Sequence, residues 1–184
     1  MTPSARLSAA IEVFADIEAR RRPAAQGLKD WGLAHRFAGS GDRAAIAGLV
    51  YDALRRKASS AWIMGADTPR AVLLGMLARE RGMGVEAIAK LSDGARFAPE
   101  PLSDDEHARL RAASLDGAPE HVLGDYPEWL DAPLAAATDL DGRQLAGSDQ
   151  GIGLGGRDVE HFRDLSQLDE ALCHVIPLFF SQST

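Results

Sequence analysis

Three sets of residues in this 184-residue chain have types and spacings that could do chemistry. The first is the glycine run Gly151-Ile152-Gly153-Leu154-Gly155-Gly156. Such glycines let backbone N–H groups approach a nucleotide or a sulfonium cofactor at a strand-to-helix turn. Here the preceding residues, 145–150, are small and polar rather than strand-like, and only 28 residues follow. No βαβ repeat fits in that length, so the run reads as a flexible linker. The second set is histidine and cysteine. His35, His107, His121, His161 and His174 have no metal-type spacing such as HExxH, and the lone Cys173 excludes a cysteine zinc site and an internal disulfide framework. Cys173 and His174 are sequence neighbours, which points them apart on a helix or strand. No catalytic residue, no metal ligand and no cofactor-binding residue is assigned, and Cys173 reads as a small apolar side chain.

The third set is basic and more informative. It comprises Arg20, Arg21, Arg22, Lys29, Arg36, Arg43, Arg55, Arg56 and Lys57. The net charge of −7 hides an asymmetry: residues 1–96 hold 15 Lys and Arg against 10 Asp and Glu (+5), and residues 97–184 hold 5 against 17 (−12). Only the first half presents a surface that phosphate would approach. Arg36 and Arg43 flank a Gly-Ser turn, where the free N–H groups of the following helix also face outward. Arginines beside a helix N-terminus suit phosphate. The plainer alternative is that these are solvated helix ends, because acids are interspersed and Asp42 can pair with Arg36 or Arg43. In that reading Trp31 and Phe37 pack in the core.

The elements that must hold these residues read as helices. Leu7, Ala10, Ile11, Phe14 and Ile17 recur at helical spacing over 4–20, after start signals at Thr2, Pro3 and Ser4. Pro23 opens a second helix over 24–36. A long third helix is expected over about 42–63, with Ser40 as N-cap and a stripe of Ile46, Val50, Ala53, Leu54, Ala61 and Trp62. Thr68-Pro69 opens a fourth helix to about Arg81, along Val72, Leu73, Met76 and Leu77, and Val85–Leu91 forms a fifth. The stretch Ala98-Pro99-Glu100-Pro101 is extended, since each proline disfavours helix in the residue before it. Ser103 with Glu106 forms a capping box for a short helix to about Ala113. A helical turn over Pro119–Leu123 and a last helix over Pro127–Thr138, with Trp129, Leu130 and Leu134, complete the pattern.

Strand signals are nearly absent over 1–139. The expected fold class is all-α, a compact helical bundle over 1–139 with a poorly structured, Gly-rich tail over 140–184. Within the tail, 166–174 is a possible helix and 175–180 an apolar patch. Hydrophobic residues at 46% and charged residues at 26% fit a globular chain. No apolar run approaches the roughly 18 residues of a membrane span, and the N-terminus has neither an apolar signal core nor the acid-poor character of a transit peptide. The expectation is a cytoplasmic protein with no membrane partner.

Several runs resemble a known family. They are WGLAHRFAGSGDRAAI (31–46), YDALRRK (51–57), the Pro69–Leu77 helix, FAPEPL (97–102) and YPEWL (126–130). In this order, over roughly 3–138, they resemble the N-terminal, NusB-like helical domain of the RsmB/NOP family of RNA cytosine-5 methyltransferases. The resemblance implies a NusB-like bundle that helps to hold ribosomal RNA for a following catalytic domain. That domain uses S-adenosylmethionine, a cysteine that attacks the cytosine and a second that releases the product. It carries a cofactor loop of Ala-Pro-Gly-Gly-Lys type and a Pro-Cys motif. This chain departs from both: Leu154 precedes Gly155-Gly156, Arg157 follows them, and Leu172 precedes Cys173. The expectation is therefore a noncatalytic RNA-binding accessory domain, with no cofactor of its own. Its partners would be RNA, ribosomal by resemblance, and a methyltransferase domain or other protein. Arg36, Arg43, Arg55, Arg56 and Lys57 would contact phosphate, supported by Arg20, Arg21, Arg22 and Lys29. The rival expectation is a protein-interaction module of the same fold. A methyltransferase in its own right is disfavoured, because 46 residues beyond 138 are too few for that fold.

Overall fold

A computed structural model describes residues 1–136, and the glycine run, Cys173 and the expected tail elements lie outside the described residues. The described residues form an all-α bundle, as the periodicity predicts, and contain no strand. Helix α1 spans Pro3–Arg20, α2 Ala24–Ala34, α3 Ser40–Arg55, α4 Lys57–Met64, α5 Pro69–Arg79, α6 Val85–Leu91, α7 Asp104–Ala112 and α8 Glu120–Gly124. A 3₁₀ turn at Glu128–Leu130 leads into helical residues 131–136.

Local signals set most of these boundaries. Thr2 Oγ1 accepts from Ala5 N at 3.2 Å and caps α1; Thr68 Oγ1 does the same for Ala71 N, also at 3.2 Å, and caps α5. Ser103 and Glu106 form the reciprocal capping box of α7, at 3.2 and 2.9 Å. Helix α5 is the centre of the bundle: every residue from Ala71 to Leu77 is buried. A helix apolar all round must be surrounded, and α1, α3 and α4 pack against it. Phe14 and Leu7 of α1, Ile46 and Val50 of α3 and Ile88 of α6 close the core around it.

Two packing details depart from the sequence reading. The expected helix over 42–63 starts at Ser40, with Gly39 as its N-cap, and breaks at Arg56, whose backbone turns to φ −113° and ψ 26°. The break lets Asp125, at the end of α8, cap α4: its carboxylate accepts from Ser59 N at 2.8 Å and Ser59 Oγ at 2.9 Å. That side chain is 2% exposed and lies 3.6 Å from Arg56 and from Arg79. Immediately beyond, α4 and α5 approach so closely that a Cβ on Gly75 would stand 2.5 Å from the Ser60 carbonyl oxygen. The expected apolar face over 127–138 is also not buried as a whole, since Trp129 is 72% exposed.

Candidate functional site

The nine basic residues fall into three groups, and their surroundings differ. At the end of α1, Arg20 pairs with Asp16 at 2.8 Å, and Arg22 bridges Asp16 and Asp30. Arg21 takes a left-handed backbone conformation, φ 48°, and is exposed, with no side-chain partner among the described residues. At the α3–α4 junction every cation is engaged. Arg55 pairs with Asp52 at 2.7 Å, Arg56 with Glu80 at 2.8 Å, and Lys57 with Glu18 at 2.5 Å and Asp67 at 3.5 Å. The hydrogen bond to Glu80 raises the pKa of Arg56 above its ordinary value. Burial opposes the charge of Lys57, yet Glu18 outweighs it and the pKa of Lys57 also rises. These cations serve the fold first: Arg56 and Lys57 tie the α3–α4 junction to α1 and to the ends of α5 and α8.

The third group lies where α2 turns into α3. Lys29 and Arg43 line a cleft of about 440 Å³ together with Trp31, Ile46 and Tyr51. Arg43 lies along Gly32, and its Nε donates to the Ala38 carbonyl at 3.0 Å. Arg36 sits in the turn itself, exposed. None of the three has a carboxylate partner among the described residues.

The local acids are held elsewhere. Asp30 is taken by Arg22, and by Gln26 at 2.7 Å. Asp42 does not pair with Arg36 or Arg43 as expected. It receives the chain's amino group at 3.1 Å, Arg6 Nε at 2.9 Å and the Gly39 N–H at 3.4 Å. The amino group, then Arg6, hold its carboxyl below the usual carboxylate range. Asp42 thus occupies the helix N-terminus that the sequence reading offered to phosphate, and the positive character of this corner comes from side chains instead.

The structure therefore sets Lys29 and Arg43 on one cleft with Arg36 in the adjoining turn, leaves Arg21 unpaired among the described residues at another helix end, and commits Arg20, Arg22, Arg55, Arg56 and Lys57 to acids. Phe37, expected in the core, is 73% exposed, whereas Trp31 is buried as expected. Tyr51, in the cleft wall, was missed as a site residue; its place in the run YDALRRK, beside the basic residues, was the available signal.

A different concavity, about 1040 Å³, lies between α4, α7 and α8. Trp62, Arg109, His121 and Tyr126 line it, and His121 meets Asp131 at 3.1 Å. Among the described residues no group of three or more His, Cys, Asp and Glu is arranged to hold a metal ion, and no helix is long and apolar enough to cross a membrane. No family model, curated protein or solved structure matches the chain.

Proposed function

We propose that the chain is a noncatalytic RNA-binding accessory domain, related to the NusB-like N-terminal domain of RsmB/NOP-family 16S rRNA cytosine-5 methyltransferases. The observation that carries this reading is the corner of Lys29, Arg36 and Arg43. Three cations there have no acid partner among the described residues, while Asp30 and Asp42 are bound by other groups. Unpaired cations on a helical scaffold bind phosphate without first breaking an ion pair. Arg21 adds a fourth free charge at the end of α1. In this reading Arg55, Arg56 and Lys57 contribute less than their sequence suggests, because phosphate must compete with carboxylates at 2.5–2.8 Å. S-adenosylmethionine belongs to the family's catalytic domain and has no assigned residue in this chain.

The test is a gel-shift titration with 16S ribosomal RNA fragments at two salt concentrations. Binding that weakens steeply with salt, and is lost on reversing Lys29, Arg36 and Arg43, is the expected outcome. Salt-indifferent binding, or none at low salt, sinks the reading. The groove walled by Trp62 and Tyr126 favours the second reading, a module that docks a protein. It gains if reversing Arg36 and Arg43 leaves capture of a methyltransferase-domain partner intact and Trp62→Lys abolishes it.

A further inference from the structure

A second groove runs along the first turns of α1 and shares Trp31 with the cationic cleft. It encloses about 770 Å³. Small residues that share one face of α1, Ala5, Ser8 and Ala9, line it. Its walls are aromatic and basic. On one side the His35 ring stacks on Trp31, with centroids 4.3 Å apart, and Phe37 meets His35 edge-on at 5.7 Å. On the other, the guanidinium carbon of Arg96 lies 4.8 Å from the Phe97 ring centroid.

Neither phenyl ring is buried: Phe37 is 73% and Phe97 68% exposed. Phe97 moreover holds φ +70°, a left-handed conformation that a bulky side chain rarely adopts. Backbone strain that keeps a phenyl ring in water contributes nothing to the core, and strain of this kind gathers at ligand sites. The charges agree. Among the described residues, Arg36, between His35 and Phe37, has no carboxylate partner, and Arg96 meets only the Phe97 ring. Glu12, the carboxylate lining the groove, accepts from Trp31 Nε1 at 3.3 Å.

Exposed rings beside free guanidinium groups fit a ligand with planar faces joined by phosphates. We propose that this groove is a base-stacking site for unpaired RNA, with bases on Phe37 and Phe97 and the adjoining phosphates at Arg36 and Arg96. A duplex hides the faces of its bases, so the site takes single strands. Guanidinium groups without carboxylate partners among the described residues favour phosphate over an apolar peptide here. The inference rests on the RNA-binding reading above and adds the form of RNA that is recognised.

The experiment is fluorescence anisotropy on the full chain. The probe is a labelled, unstructured RNA of about 12 nucleotides, free or annealed to its complement. The variants are Phe37→Ala, Phe97→Gly, which keeps the left-handed backbone accessible, and Phe37→Trp. The single strand should bind more tightly than the duplex. Each truncation should weaken single-strand binding about 5- to 100-fold and leave duplex binding and the salt dependence unchanged. Phe37→Trp should bind as the parent does, with its emission quenched by RNA. If both truncations bind the single strand like the parent, the stacking site is overturned and the RNA-binding reading survives. If the parent binds neither RNA at low salt, both fall. Emission of Phe37→Trp that responds to an acidic amphipathic peptide and not to RNA overturns the site in favour of a protein partner.

Discussion

Two residues show how a side chain's type can be read correctly while its role stays hidden. Phe37 and Asp125 are an apolar and an acidic residue in short connections, and ordinary expectation buries the first and solvates the second. The structure does the reverse, because burial is decided by which elements converge on a position. Asp125 is buried because α4 offers it a free N–H and a hydroxyl, and Arg79 and Arg56 neutralise it. Removing it would leave the Ser59 N–H uncapped and the half-buried Arg79 without this charge partner. Asp125→Ala should therefore destabilise the fold by about 3 kcal/mol. Asp125→Asn, which still accepts from Ser59, should cost less, as read by denaturant unfolding. Phe97 presents the opposite case. Glycine tolerates φ +70° without strain, and the ring it would remove lies in water. Phe97→Gly should raise stability by about 1 kcal/mol, visible as a higher melting temperature, even as it weakens RNA binding.

At the scale of elements, much of the bundle was legible. The caps Thr2 and Thr68 and the Ser103–Glu106 box marked the starts of α1, α5 and α7, because capping is a contest between neighbours in sequence. The break between α3 and α4 was not legible: the residue that caps α4 lies 66 positions away from Ser59. The same holds for Gly75. Inside a helical run it looks like a small loss of helix propensity, but it exists to let the Ser60 backbone approach. Gly75→Ala should destabilise by about 1–3 kcal/mol despite the better propensity of alanine, and a chemical melt decides the sign.

Helix α7 is tied to α5 by Arg70, whose Nε donates to Glu106 at 2.7 Å and whose Nη2 also reaches the Glu100 carbonyl at 2.9 Å. The hydrogen bond from Arg70 holds the Glu106 carboxyl below its ordinary range. The unfolded chain therefore takes up this proton at a higher pH than the folded one. The stabilisation is fully present above the ordinary glutamate pKa and is lost as pH falls through the lowered folded value. Glu106→Gln should lower stability at neutral pH and flatten the acid limb of the stability curve over that window, as followed by melting temperature against pH.

The whole molecule separates charges that hold the fold from charges that are free. Composition alone could not show this: it gave a basic first half, and the sequence ranked Arg55, Arg56 and Lys57 beside Arg36 and Arg43 as phosphate contacts. The partners that distinguish them, Glu18, Asp67, Glu80 and Asp125, come from α1, the α4–α5 connection, the end of α5 and the end of α8. Only the assembled bundle brings them together. Two charge-changing variants should consequently behave in opposite ways. Arg55→Glu with Arg56→Glu replaces attraction to Asp52, Glu80 and Asp125 with repulsion, so it should lower the melting temperature by several degrees. Its effect on the salt dependence of RNA binding should be small. Lys29→Gln with Arg36→Gln and Arg43→Gln breaks no ion pair among the described residues and removes only the Arg43–Ala38 hydrogen bond, so the melting temperature should fall much less. Each phosphate contact with a single strand contributes about 0.7 to the slope of log affinity against log salt. Loss of three should reduce that slope by about 2. Parallel melting and anisotropy titrations on both variants measure the two effects. A salt slope that falls equally in both would mean that the paired cations at the α3–α4 junction also meet RNA, and that phosphate displaces their carboxylates.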